Sequence, residues 1–260
     1  MYFVDTHTHL FIERSVEEGD LAVKEAIDAG VKQLLLPNID LESIPDLHAL
    51  CNSNPASCFP MMGLHPCSVK EDWEEVLNHM YPLFSERKYV AVGELGLDLY
   101  WDKTTLNHQI AAFKKQVEWA KELDLPIVIH VRDAFDEIFE VMDEVNDDRL
   151  RGVFHCFTGN IDQAKKVMEY GDFYMGMGGV LTFKNSGVDK TVVDIPLEYL
   201  ILETDSPYLA PTPHRGKRNE SKYIPLIAEK LADVKQVSLQ EITNITSKNA
   251  IDLFRLPIAK

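Results

Sequence analysis

The sequence predicts an α/β fold, a single (β/α)8 TIM barrel with additional C-terminal helices, on three observations. Short apolar runs alternate with longer amphipathic ones about eight times along 260 residues, the count and length of that barrel. No linker rich in Gly, Pro or Ser and no low-complexity segment interrupts the pattern, so residues 1–260 read as one domain. An open doubly wound sheet is the runner-up, but no G-x-G-x-x-G follows the first strand.

The strand-like runs fall at residues 2–9, 33–39, 58–65, 89–97, 126–131, 152–157, 173–178 and 199–204. They are short and apolar, as strands buried on both faces must be. Between them lie helix-like stretches at 18–29, 73–86, 106–123, 135–145 and 161–170. These repeat apolar residues at three- and four-residue spacing, as in Phe113, Val117 and Ala120 followed by Leu123. A proline-containing loop follows the eighth strand. Two further helical runs, 220–234 and 239–254, then cap or buttress the barrel.

Composition narrows the function classes. With 45% hydrophobic and 26% charged residues, the chain buries a full core and carries no mark of disorder. No apolar run approaches the ~20 residues that span a bilayer, and the N-terminus lacks the basic and apolar regions of a signal peptide. A cytoplasmic protein with no membrane association and no obligate protein partner is expected. Cys51, Cys58, Cys67 and Cys156 form no C-x-x-C pair and read as free, structural thiols. A formal charge of −16 excludes a broad basic face that coats nucleic acid. It leaves room for an enzyme handling phosphate at one site, where bound cations and a few arginines reverse the field.

Polar residues break the apolar strands at their C-terminal ends. His7 and His9 end the first strand and His65 the third. Glu94 lies near the end of the fourth, His130 ends the fifth, His155 the sixth, and Glu203 with Asp205 the eighth. Those ends converge on one mouth of the barrel. Residues i and i+2 share a strand face, which pairs His7 with His9, His130 with Arg132 and Glu203 with Asp205. A single histidine in an apolar strand is ordinarily a hydrogen-bonded core or rim residue. Seven or more ionisable groups in one space are another matter, since their desolvation without a cation would cost several kcal/mol. Four histidines and two carboxylates exceed the needs of one tetrahedral ion and imply two divalent ions per chain. The ligand types suit Zn²⁺, Mn²⁺, Ni²⁺ or Fe²⁺, with Mg²⁺ also in the candidate set, and do not choose among them. The reaction class is metal-assisted hydrolysis. His48, His79 and His108 sit in helical or flanking stretches and read as surface or packing residues.

The ordered motifs resemble one known family. Phe3-Val4-Asp5-Thr6-His7-Thr8-His9-Leu10, Gly63-Leu64-His65-Pro66 and Val92-Gly93-Glu94-Leu95-Gly96-Leu97-Asp98 are similar to segments of the TatD family, metal-dependent deoxyribonucleases of the amidohydrolase superfamily. So are the stretches ending in His130-Val131-Arg132 and beginning His155-Cys156-Phe157, the run Leu202-Glu203-Thr204-Asp205-Ser206-Pro207, and Arg215 to Glu220. Coverage is essentially the whole chain. The resemblance implies that His7, His9, Glu94 and Asp205 hold one metal, that Glu94, His130 and His155 hold the other, and that Glu94 bridges them. It implies Asp205 as the base for the attacking water, and Glu203 and His65 as groups supporting the metals or touching substrate. Arg132, with Arg215 or Arg218, would clamp a phosphate. Two departures bear on substrate choice: Ser221 stands where the family commonly has proline, and His214 where an aromatic such as Tyr is common. Asp5 shares the face of the two histidines and is expected to orient them from behind.

The implied activity is 3′–5′ exonuclease cleavage of DNA, on single strands or 3′ ends, with Tyr100, Trp101 and Tyr208 available to stack a terminal base. Two alternatives stay open: hydrolysis of a small amide, lactone or aminoacyl ester at the same site, and a non-catalytic metal-binding protein.

Overall fold

The computed structural model describes residues 2–259, so positions 1 and 260 of the expected domain lie outside the described residues. All eight expected strands form: β1 Phe3–Asp5, β2 Val31–Leu36, β3 Cys58–Pro60, β4 Val92–Asp98, β5 Ile127–Arg132, β6 Gly152–Phe154, β7 Phe173–Met177 and β8 Leu200–Leu202. Several stop short of the apolar run that announced them. His7, His9, His65, His155, Glu203 and Asp205 follow their strands instead of ending them, although backbone bonds such as His155 N–H to Ile129 O and Glu203 N–H to Met177 O carry the pairing one step further.

Every neighbouring pair is parallel, in the orders β1-β2-β3 and β4-β5-β6-β7-β8. Backbone hydrogen bonds join the two sets on both sides. Between β3 and β4, Val90 N–H donates to Pro60 O at 3.0 Å and Gly93 N–H to Met62 O at 2.9 Å. Between β8 and β1, Thr6 N–H donates to Leu202 O at 3.1 Å, Asp205 N–H to His7 O at 2.9 Å and His9 N–H to Ser206 O at 2.7 Å. The eight strands therefore ring a single (β/α)8 barrel, and the β8–β1 join sets Asp205 beside His7 and His9.

The helices are α1 Val16–Asp28, α2 Ile44–Ser53, α3 Trp73–Met80, α4 Leu83–Glu86, α5 Leu106–Leu123, α6 Phe135–Val145, α7 Ile161–Glu169, α8 Val188–Val193, α9 Ile224–Lys235 and α10 Leu239–Phe254. Capping boxes start two of them, Ser15 with Glu18 at α1 and Asn160 with Gln163 at α7. The single helix expected at 73–86 divides at Tyr81-Pro82, since proline lacks the N–H that would continue the ladder. α2 and α8 were not foreseen. α10 plugs the end of the barrel opposite the mouth: Ala250, Leu253 and Phe254 pack with Val4, Leu35, Met61, Val128, Val153 and Ile201. Each large side chain buried there contributes roughly 1.5–3 kcal/mol, which frees the mouth for polar groups. Among the described residues, no helix is long and apolar enough to cross a membrane.

Candidate metal centre

The mouth of the barrel opens into a cavity of about 660 Å³ whose lining includes His9, His65, Glu94, His130, His155 and Asp205. Glu94, buried at the middle of β4, is its hub. One oxygen, Oε2, lies 3.1 Å from His7 Nε2 and 3.4 Å from His9 Nε2. The other, Oε1, lies 2.9 Å from His130 Nδ1, 2.9 Å from His155 Nε2 and 3.3 Å from His65 Nε2. Asp205 Oδ1 faces the first group at 3.8 Å from both His7 and His9. The close approach of Glu94 and His130 depends on Gly96, where a Cβ would fall 1.9 Å from His130 O.

Two of the imidazoles at Glu94 Oε1 differ in what their other nitrogen meets. His130 turns Nε2 to Asp98 Oδ2 at 3.0 Å and Nδ1 to Glu94 Oε1 at 2.9 Å, and although burial works against its charge, these two carboxylates raise it above the usual imidazole range. His65 meets a donor instead. Its Nδ1 accepts the Cys67 N–H at 3.0 Å, so the neutral ring carries its proton on Nε2 and donates to Glu94. His65 is thus a hydrogen-bond donor at the cavity wall.

Charge in this cluster is strongly conditioned. Burial works against ionisation of Glu94, but His155, His65 and His7 hold its carboxyl well below the usual range. Burial, with His155 beside it, pulls His7 well below the usual imidazole value, so the ring is neutral. Burial also opposes a charge on His155, yet Glu94 and Glu203 on its two sides raise it well above the usual range. The region between the carboxylates is therefore built to hold positive charge.

The donor set fits divalent cations. His7 Nε2, His9 Nε2 and Glu94 Oε2 stand 3.1–3.4 Å from one another in a buried space. Three acceptor atoms at that spacing repel unless a proton or a cation lies between them. His7 Nδ1 and His9 Nδ1 have no hydrogen-bond partner, consistent with rings oriented by what their Nε2 atoms hold. His130, Glu94 and His65 form a second close set, to which His65 brings the proton on its Nε2 and not a lone pair.

The remaining sequence candidates divide. Arg132 reaches the cavity and lies over the Tyr100 ring, its guanidinium carbon 3.7 Å from the centroid. Trp101, 71% exposed, stands edge-on to Tyr100, and Tyr208 lines the opposite rim. Glu203, expected to support the metals or to touch substrate, is fully buried beside His155, away from any substrate, and accepts the Cys156 N–H at 2.5 Å. Arg218 turns away from the cavity. It donates to Ile12 O at 2.6 Å and faces Glu13, tying the loop after β8 to the loop after β1. Arg215 packs over Phe183, and His214 stacks on Tyr223 with centroids 4.1 Å apart. Ser221, the departure from proline, opens a short 3-10 turn and donates to Thr8 Oγ1 at 3.1 Å.

Asp98 was missed by sequence reasoning. Burial opposes its charge, but hydrogen bonding with His130 and the Tyr100 N–H brings its pKa down to about 2. It is a firm acceptor that sets the His130 tautomer. The signal was available, since Glu94, Gly96 and Asp98 alternate onto one face of β4.

The model of the TatD-related DNase family matches residues 4–255. A Bacillus subtilis relative named uncharacterized metal-dependent hydrolase YabD is 36% identical over 97% of this chain and 98% of its own. The 3′-5′ ssDNA/RNA exonuclease TatD of Erwinia billingiae is 30% identical over 97% of this chain and 99% of its own. The crystal structure of YjjV, a TatD homologue from Escherichia coli, superposes with a TM-score of 0.91 at 28% identity, covering 98% of both chains. With the barrel, the histidines around Glu94 and these matches taken together, the chain belongs to the TatD-related DNase family of metal-dependent hydrolases.

Proposed function

We propose that this chain is a two-metal phosphodiesterase that removes nucleotides from the 3′ end of DNA, acting on single strands or frayed ends. The observation that carries the reading is the split of Glu94, whose two oxygens face two separate sets of imidazole nitrogens beside an arginine on the same cavity wall. The name of the Erwinia relative, a 3′-5′ ssDNA/RNA exonuclease, supports the choice of substrate. One divalent ion is held by His7, His9, Glu94 and Asp205, the other by Glu94, His130 and His155. Such ions supply Lewis-acid polarisation of a phosphoryl oxygen and a lowered pKa for the attacking water.

The chain's own residues do the rest. Burial pushes Asp205 up to about 6 against the pull of His155 and His9, a value suited to accepting a proton from water near neutrality. Arg132 binds the non-bridging oxygens of the scissile phosphate, leaving its stack on Tyr100 or keeping it. His65 donates from Nε2 at the cavity wall and steadies Glu94. Tyr100, Trp101 and Tyr208 receive the terminal bases. Four free thiols suit work in a reducing cytoplasm.

The test is a 5′-labelled single-stranded oligonucleotide incubated with protein reconstituted in turn with Mg²⁺, Mn²⁺ and Zn²⁺. Products shortened one nucleotide at a time are expected. Glu94→Gln should lower kcat by about a thousandfold, the scale of several kcal/mol of lost charge stabilisation. Turnover of an amide, lactone or aminoacyl ester panel with no cleavage of DNA would overturn the reading.

A further inference from the structure

Glu203 follows β8 by one residue and has no solvent exposure. Its Oε1 accepts the Cys156 N–H and lies 3.4 Å from His155 Nδ1. Its Oε2 has no hydrogen-bond partner, and neither has Nδ1 of His7 or Nδ1 of His155, all of them buried. His7, His155 and Glu203 each bring a ligand-capable atom to within 4.8 Å of the others. The two imidazoles are stacked, with centroids 3.9 Å apart and planes 11° from parallel, so one carboxylate can serve both. Space for that carboxylate is reserved on β7: a Cβ at Gly176 would fall 2.1 Å from Glu203 Oε2.

A buried carboxylate oxygen and two buried imidazole N–H groups are each costly alone and complementary together. We propose that Glu203 is a positioning residue that holds His7 and His155 in the Nδ1–H tautomer, so that both present Nε2 to the Glu94 side. His7 belongs to one side of Glu94 and His155 to the other. Glu203 therefore opposes Glu94 across the imidazoles and sets both halves of the centre at once. Its charge also raises the basicity of both rings as ligands. The inference rests on the two-cation reading above.

A purely structural Glu203 would do no more than anchor Cys156. Glu203→Gln keeps an oxygen at the Oε1 position for the Cys156 N–H and His155, and puts at the Oε2 position an NH₂ that cannot accept from the His7 Nδ1–H. Zinc affinity of the chelated and then titrated protein, read by calorimetry with metal analysis, should weaken 10–100-fold. Thermal unfolding of the chelated variant should stay close to wild type. Gly176→Ala, which displaces the carboxylate without altering its charge, should weaken zinc binding in the same direction. In the zinc-loaded wild-type protein, ¹⁵N-histidine spectra should show His7 and His155 protonated at Nδ1 and not at Nε2, a measurement that needs no variant to fold. Wild-type zinc affinity in Glu203→Gln, or Nε2–H tautomers at His7 and His155, would overturn the assignment. A wild-type chain that takes up no zinc would instead overturn the two-cation reading on which it stands.

Discussion

Asp5 lies two residues before His7 of the candidate metal centre, with no exposed surface. It accepts the Thr204 N–H at 2.9 Å and the Thr204 hydroxyl at 2.7 Å, and touches His7 only through the backbone N–H at 3.4 Å. The expected bracing of the two histidine rings is thus a bracing of the β8 end, which carries Asp205. Burial raises Asp5 to about 7 from 3.8, despite hydrogen bonds from Ser221, Thr204 and His7. Between those values the folded chain binds more protons than the unfolded one, so this group makes stability fall as pH rises from about 4 to 7. At about 1.4 kcal/mol per unit, the ceiling is roughly 4 kcal/mol. Asp5→Asn is expected to flatten that slope in chelated protein and to match or exceed the wild-type melting temperature at neutral pH. A variant less stable than wild type at pH 7, with the slope intact, would show that the ionised form is the one the fold prefers. At this scale the sequence was informative wherever a polar residue interrupted an apolar run, which is how His7, His9, Glu94, His130, His155 and Asp205 were found. It was blind where direction is set by a loop. Arg218 sits in the right motif, yet its side chain folds back to Ile12 O, and no periodicity governs that choice.

Among elements, long amphipathic helices and fully apolar strands were the legible ones; α5, α6 and α10 match their expected bounds. The helices that went unseen are short or weakly patterned: α2 has a proline in its first turn, and α8 spans six residues. The segment joining β4 to α5 was legible only as a run of aromatics. In the fold, Asp98 at the end of β4 accepts the Tyr100 N–H at 3.0 Å and the Trp101 N–H at 3.3 Å, anchoring that turn to the residue that holds His130. The rim is thereby fixed to the centre, and Trp101 stands out over the cavity with little of its own to pack against. Loss of a base-stacking ring is worth about 1–3 kcal/mol per base. Trp101→Ala is therefore expected to raise KM for a single-stranded oligonucleotide roughly tenfold, with kcat nearly unchanged. Turnover of a strand whose 3′-terminal residues are abasic, and so offer no ring to stack, should not change. An equal loss on both substrates would place Trp101 in the packing of the rim and not on the path of the strand.

For the whole molecule, a charge of −16 and the polyanionic substrate proposed above are in tension, which a site of local positive charge would resolve. Arg132 lines the cavity, Arg215 in the loop after β8 packs over Phe183, and Arg14 and Arg218 are engaged with Glu220 and Glu13. On that proposal, attraction would be confined to the few phosphates that enter, and the rest of the strand would meet the repulsion of the net negative charge. Nucleases that grip DNA along a basic groove lose affinity as salt rises, through counterion release. Here the long-range term has the opposite sign. Raising monovalent salt from about 0.01 M to about 0.1 M shortens the screening length from roughly 30 Å to roughly 10 Å, which removes repulsion from the part of the strand outside the cavity and leaves the contacts within it. At fixed divalent metal, kcat/KM for a long single strand should therefore rise a few-fold over that range, most of it in KM. A dinucleotide, which fits inside the cavity, should change little. A steep fall with salt for the long strand, with a logarithmic slope of several, would mean that many phosphates are neutralised by the protein, and that binding is not confined to the strand's end.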